Sequence, residues 1–300
     1  MSTPSEPADS VPINAAALED WITAWAKRVP QLRQVGPGHW RGNAEIDVSY
    51  PANGHSALAR VEADSYWFNH RNDLISAVVQ RFPPGGPMFD VGGGNGYVAL
   101  GLRDVSVASV VVEPGGHGAA TALERGLPVI EAPFHLLQIP ADSLPAAGLF
   151  DVLEHIDDDR AALASLYEAI EPGGMLYLSV PARTALWSAE DEYAGHYRRY
   201  TLSQLKKKVA AAGFTLEYAT YFFGILVVPV FLLRSLPSRL GAKSKMNDAA
   251  TVERQHRMPT GLLGRAFRRS FDRERATVLQ GGTVAAGTSC LLVARKPGPA

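Results

Sequence analysis

Between Met88 and Pro114 the sequence reads MFDVGGGNGYVALGLRDVSVASVVVEP, and this stretch most constrains the fold. MFDV (Met88 to Val91) has the length and apolarity of a buried strand, and it runs straight into a glycine loop. YVALGLRD (Tyr97 to Asp104) then has helical spacing, and SVVVEP (Ser109 to Pro114) is an unbroken valine strand ending on an acid. A strand that is apolar at every position is buried on both faces, as in a parallel sheet covered by helices. Parallel neighbours need a crossover, and a helix of this size supplies one.

The alternation extends in both directions. RNDLISAVVQRF (Arg71 to Phe82) puts Leu74, Ile75, Val78, Val79 and Phe82 on one helical face, and PPGGP ends it. Downstream, a helix over 122–127 precedes PVIEA (128–132), and GLFDVLEH (148–155) is a fourth strand. A capped helix over 158–170, a strand MLYLSVP (175–181), a helix over 203–214 and strands at 215–222 and 288–296 follow. Seven strands alternating with helices predict an α/β fold with a mostly parallel, doubly wound sheet. In such sheets the ligand lies at the carboxyl ends of the strands. Before residue 66 the chain reads as a disordered tail (1–12) and an extension (13–65) in which AALEDWITAW (Ala16 to Trp25) is an amphipathic helix.

Two glycine patterns overlap in the loop. Gly94-Asn-Gly96-Tyr-Val-Ala99 fits the dinucleotide fingerprint, and Asp90-Val-Gly92-Gly-Gly94-Asn-Gly96 fits the loop of S-adenosylmethionine enzymes. Glu113, at the end of the next strand, suits ribose hydroxyls in both. Asp90 separates them. A carboxylate beside the loop repels a pyrophosphate but attracts an ammonium and a sulfonium. That favours S-adenosyl-L-methionine as the cofactor.

With these residues on the page, the chain resembles the class I S-adenosylmethionine-dependent methyltransferases. FDVGGGNG, VVVEPGG, FDVLEHIDD and IEPGGMLYLSVP match the family's motifs in order, over roughly 66–222 plus the terminal strand at 288–296. WSAEDEYAGHYRRYTLSQLKKKVAAAGF (Trp187 to Phe214), YWFNHRN (Tyr66 to Asn72) and the last strand are similar to a bacterial subgroup with a GHYRRYT-like segment, whose core is similar to ubiquinone-type O-methyltransferases. The resemblance implies a Rossmann-like, seven-stranded sheet with an antiparallel last strand. It also implies a cofactor pocket from Arg71, Asp90, Gly92, Gly94, Gly96, Glu113, Phe134 and Asp151. The adenine-binding acid that many relatives carry after the third strand has no obvious counterpart in PVIEAPFHLL; Glu131 or the backbone near Phe134 could serve.

Methyl transfer is an in-line displacement from an activated donor, so alignment and exclusion of water dominate, and an oxygen acceptor adds a need to remove a proton. His155, at the end of the fourth strand, and His196, in GHYRRY, are the candidate catalytic residues. Trp187, Tyr197, Arg198 and Tyr200 are the candidate acceptor contacts. Arg198 and Arg199 could instead pair with Asp191 and Glu192 just upstream. Asp151, Glu154 and His155 are oxygen and nitrogen ligands close in sequence, so a divalent metal is conceivable, but on a strand Asp151 and His155 share one face and Glu154 points to the other, and no metal is expected. The single cysteine, Cys290, lies in an apolar run and reads as an inert buried thiol.

The segment 223–287 is an insertion of different character. YFFGILVVPVFLLRSL (Tyr221 to Leu236) is the most apolar stretch, yet shorter than the ~20 residues of a membrane span. It is followed by a strongly basic region, with a polar middle at 241–256 that reads as mobile. Such an element could be a lid, a homodimer surface or a peripheral membrane contact over 221–275. A net charge of −1 gives no reason to expect nucleic acid as a partner. The polar N-terminus, without a signal pattern, makes the cytoplasm the default location. The expected activity is methylation of a small molecule, most simply at oxygen. A nicotinamide-dependent oxidoreductase and a non-catalytic S-adenosylmethionine-binding module stay open as alternatives.

Overall fold

The computed structural model describes residues 15–43, 61–243, 253 and 256–298. The expected tail at 1–12 and most of the polar stretch at 241–256 lie outside the described residues. Strands β3 (Met88–Val91), β4 (Ser109–Val112), β5 (Val129–Glu131), β6 (Leu144–Phe150) and β7 (Ile170–Pro181) are parallel. At one edge β9 (Ser289–Arg295) runs antiparallel to both β7 and β8 (Thr215–Phe222).

The sheet has nine strands among the described residues, not seven. The order is β1-β2-β5-β4-β3-β6-β7-β9-β8. The two additions are β1 (Leu32–Gly36) and β2 (His39–Gly42), so the N-terminal extension is helix plus hairpin, not helix alone. The hairpin closes through Gly36-Pro37-Gly38, and β2 lies parallel to β5 with Trp40 opposite Ile130. Trp40 anchors the addition, being almost fully buried. The strands are short and largely exposed along β1, which hides their pattern in the sequence.

Helices cover both faces. On one side α1 (Ala15–Ala26), α5 (Asp159–Ala169) and α6 (Leu202–Ala211) bury Ile22, Trp25, Leu163, Leu166, Leu205 and Val209 against Phe89, Val110 and Leu176. On the other, α2 (Tyr66–Arg81) and α3 (Tyr97–Asp104) bury Leu74, Val78, Val98 and Leu102 against Met88, Ala146 and Tyr177. Ala119 and Ala122 of α4 (Gly116–Glu124) pack on Ala99 and Val111.

From β3 the chain winds outward through β4 to β5 and then crosses back to β6 on the other side of β3, and this reversal leaves a crevice at the carboxyl ends of β3 and β6. Over that crevice folds the insertion: a helical run (Val227–Val230, a wide π turn Phe231–Ser235, and Leu236–Arg239) and the long helix Gly261–Leu279. Phe267, Phe271 and Val278 of the long helix bury their side chains in the same core as α2. Glu274 fixes the entry to the roof. Its carboxylate accepts from the Phe223 and Gly224 backbone N–H groups at 2.9 and 2.6 Å and pairs with His70 Nε2 at 2.9 Å.

Candidate functional site

A cavity of about 1320 Å³ opens at the carboxyl ends of β3, β4 and β6, floored by the glycine loop and roofed by the insertion. The loop's geometry follows from its glycines. Gly92 has φ +71°, and a Cβ there would come 2.7 Å from Val152. Gly96 starts α3 with φ +73°, and a Cβ would meet Leu127 Cδ1 at 2.4 Å. Side chains at these positions would close the cradle and strain its backbone.

Two acids stand at the loop. Asp90 is almost fully buried, and its Oδ2 has no hydrogen-bond partner. Burial pushes its carboxyl up to about 7; Arg71 pulls the other way and Glu113 adds to the rise. Glu113 accepts from the Gly94 and Gly115 backbone N–H groups at 2.9 and 2.6 Å. Those bonds resist a rise that its burial still imposes. A buried carboxylate with an unmatched oxygen is the group a cationic ligand satisfies and a pyrophosphate does not.

Arg71, from α2, donates to Asp151 Oδ2 at 2.5 Å, and its guanidinium lies 4.8 Å from the Trp67 ring and 5.4 Å from that of Phe68. Trp67 stacks in turn on Phe223, and Phe68 on His256 of the roof. His256 Nδ1 is 2.7 Å from Ser65 Oγ, so the roof is clasped to the start of α2. Asp151 holds φ +59°, an uncommon conformation for a side-chain-bearing residue. It turns the chain out of β6, which ends at Phe150, into a tight turn, Leu153–His155.

That turn and the segment after β7 build a further wall of the cavity. The His155 and His196 rings meet edge-on with centroids 4.7 Å apart. His196 Nδ1 is 2.9 Å from Asp191 Oδ1, and Arg199 Nε donates to the same oxygen at 2.8 Å. Burial raises the Asp191 pKa, but the bonds from His196 and Arg199 outweigh it and hold the carboxyl below its usual range. Burial and the neighbouring His196 push His155 down to about 4, so it is a neutral imidazole near pH 7. Glu154 is completely buried and its carboxyl is raised well above normal, by burial first and by Asp151 second.

Of the residues expected at the site, Arg71, Asp90, Gly92, Gly94, Glu113, Phe134, Asp151, His155 and His196 line the cavity. Gly96 lies beneath it and shapes the loop. The expected acceptor contacts Trp187, Tyr197, Arg198 and Tyr200 do not line it. Tyr200 is buried with its hydroxyl donating to Asp159 at 2.9 Å. Arg198 is held by Asp157 and Asp159, Tyr197 points to solvent, and Trp187 Nε1 donates to Glu192 at 3.3 Å. Arg199 reaches the cavity instead, because successive residues of an extended segment face opposite ways. Glu131 is engaged by His39 and Arg41 of β2, which removes it as an adenine acid. Asp191 and Glu154 were missed as site residues; each lies within five positions of an expected histidine, which was the available signal.

Residues 66–219 match the family described as Methyltransferase domain. A Mycolicibacterium smegmatis protein named a probable S-adenosylmethionine-dependent methyltransferase is 22% identical over 57% of this chain and 68% of its own. A Mycobacterium bovis methyltransferase is 28% identical over 42% of this chain and 51% of its own. Among solved structures, a Haloferax volcanii methyltransferase in complex with the Trm112 activator has a TM-score of 0.55 at 15% identity, over 84% of this chain and all of that one. A Haemonchus contortus phosphoethanolamine N-methyltransferase 2, bound to S-adenosyl-L-methionine, has a TM-score of 0.50 at 17% identity, over 83% of this chain and 58% of that one.

Proposed function

Because this chain belongs to the methyltransferase-domain family and is an S-adenosylmethionine-dependent methyltransferase, we propose that its acceptor is a hydroxyl oxygen of a small, partly apolar molecule. One observation carries the reading: a neutral imidazole and an Asp191-held imidazole stand together on the cavity wall. An amine acceptor needs less help in losing its proton; a hydroxyl needs groups that orient the oxygen and draw the proton off. S-adenosylmethionine, when bound, supplies an activated sulfonium methyl.

Asp90 faces the ligand's positive charge and Glu113 its ribose hydroxyls. Arg71, held by Asp151, lies beside Trp67 and Phe68, which close that end against water. Phe134 lines the cavity and would border the adenine ring of a bound cofactor. The acceptor oxygen docks against His155 and His196. The new O–C bond would form as the C–S bond broke with its electron pair going to sulfur, and the imidazoles would pass the hydroxyl proton on to solvent.

The roof supports an amphiphilic acceptor. Leu226, Pro229, Val230, Leu233, Leu263 and Phe267 line the cavity from above. Outside, Val228, Leu232, Leu240 and Leu262 are exposed in a region rich in arginine, a combination suited to an anionic bilayer surface. A nitrogen acceptor is the second reading, favoured by the likeness to the Haemonchus enzyme, which methylates phosphoethanolamine at nitrogen.

The test is release of S-adenosylhomocysteine with matched panels of hydroxyl and amine acceptors. Turnover with hydroxyl acceptors is expected, and His196→Ala should lower it by about a hundredfold or more while the calorimetric affinity for the cofactor stays unchanged. Loss of cofactor binding in that variant would put His196 on the wrong side of the cavity.

A further inference from the structure

Neither carboxylate oxygen of Glu154 has a hydrogen-bond partner, although the residue is fully buried. A carboxylate stripped of water and left unmatched costs several kcal/mol, and such groups are paired, protonated or bound to metal. The nearby charges pair off elsewhere. Arg71 is bonded to Asp151 and Arg199 to Asp191. What stands next to Glu154 is the pair of imidazoles: one donor atom each from Glu154, His155 and His196 lie within 4.8 Å of one another.

The backbone explains how. Strand alternation would send Glu154 and His155 to opposite faces, but β6 has ended and both lie in the Leu153–His155 turn. The Tyr197 N–H then donates to the Glu154 carbonyl at 2.8 Å, bringing the segment that holds His196 alongside. Two donors on one first-row ion stand at most about 4.2 Å apart, twice a bond of about 2.1 Å. A small rotation of the side chains closes the set. Asp191 takes His196 Nδ1, which leaves Nε2 for an ion, and carboxylate–imidazole–metal is the usual outer arrangement of such ligands. Asp191 is itself fixed by Arg199 and by the Ser188 N–H at 2.9 Å.

We propose that Glu154, His155 and His196 bind a divalent transition-metal ion at the acceptor end of the cavity, with its open positions directed at the acceptor oxygen. Two imidazoles and one carboxylate suit Mn²⁺, Fe²⁺, Co²⁺ or Zn²⁺ better than Mg²⁺ or Ca²⁺, which favour all-oxygen sets. This rests on the hydroxyl reading and deepens it: an ion there would lower the pKa of a bound hydroxyl and fix its direction of attack. The ion undergoes no redox change.

The experiment is Mn²⁺ titration of chelator-treated full-length protein, followed by loss of the free-ion paramagnetic resonance signal, with Co²⁺ absorption bands reporting nitrogen ligands. One ion per chain is expected. Glu154→Gln should weaken binding at least about tenfold, and Asp191→Asn by roughly 10- to 100-fold. Glutamine copies a protonated Glu154 in shape and charge, so a merely protonated acid predicts equal uptake by the two proteins. Calorimetric affinity for S-adenosylmethionine, unchanged in each variant, shows that the fold and cofactor pocket persist. Absence of uptake at about 1 mM Mn²⁺, or equal uptake by wild type and Glu154→Gln, overturns the proposal. Hydroxyl methylation that survives complete metal removal would likewise overturn the ion while leaving the hydroxyl reading intact.

Discussion

At the scale of single residues, Asp90 offers a direct test of cofactor choice. Its carboxyl, pushed up to about 7 by burial, is half ionised near neutrality before any ligand binds. A cationic ligand binds the ionised form, which is populated above that pKa and lost as pH falls through it. Affinity for S-adenosylmethionine should therefore weaken several-fold between about pH 7.5 and pH 6, as linkage of one proton to binding requires. The demethylated product has no sulfonium charge and should show a shallower dependence. Isothermal calorimetry across this range checks both. Asp90→Asn should bind more weakly at about pH 7.5 and lose most of the slope; an unchanged slope would move the linked proton to another group. His196 makes the complementary point at the same scale. Its position in GHYRRY marked it out, but its partner Asp191 is visible only after the short helix Ala189–Ala194 and the Gly195 turn have folded back.

At the scale of elements, the insertion is held by one buried acid. Glu274, on the long helix, closes the turn after β8 through the Phe223 and Gly224 N–H groups and pairs with His70 on α2. Phe223 adopts φ +60° there and stacks on Trp67, so the same residue links the turn to the cavity wall. Glu274→Ala would leave two buried N–H groups unmet and a buried imidazole without its acceptor. Such losses cost about 3 kcal/mol or more. Limited proteolysis within 223–279 should accelerate in this variant, and a thermal transition of the whole chain should fall by several degrees. A roof that digests at the wild-type rate would show that the apolar contacts of Phe267 and Phe271 suffice.

Elements differ in how much of them the sequence discloses. The strand MFDV, the helix YVALGLRD and the strand TLEYATYF keep their expected limits, because valine runs, helical spacing and glycine punctuation all act locally. The hairpin of β1 and β2 was hidden, since its partner is β5, some ninety residues away, and most of its side chains are not apolar. The same limit governs the site. The cofactor loop is contiguous and legible. The wall that carries His155 and His196 joins residues 151–155, 191–199 and the roof, and which of two neighbouring arginines faces inward depends on packing that no local pattern encodes.

Across the whole molecule, charge is sharply divided. The segment 223–287 carries 11 Lys and Arg against 4 Asp and Glu, and the rest of the chain carries 18 against 26, so a near-neutral total conceals a basic roof on an acidic body. Arg239, Lys243, Arg265, Arg268 and Arg269 are exposed in the same segment as Leu232, Leu240 and Leu262. No helix among the described residues is long and apolar enough to cross a membrane. Each basic side chain near an anionic bilayer contributes about 1 kcal/mol, and each leucine buried in the interface about 1.5–3 kcal/mol. The chain should therefore float with vesicles containing about one-third phosphatidylglycerol at low salt. It should release as ionic strength screens the attraction, and ignore pure phosphatidylcholine. Leu232→Asp and Leu240→Asp, which lie outside the cavity lining, should each lower the bound fraction by about tenfold while S-adenosylmethionine affinity stays unchanged. A second copy of the chain is the competing occupant of this face, and it predicts the reverse: no flotation with either vesicle, and a dimer that the same leucine variants convert to monomer on a sizing column.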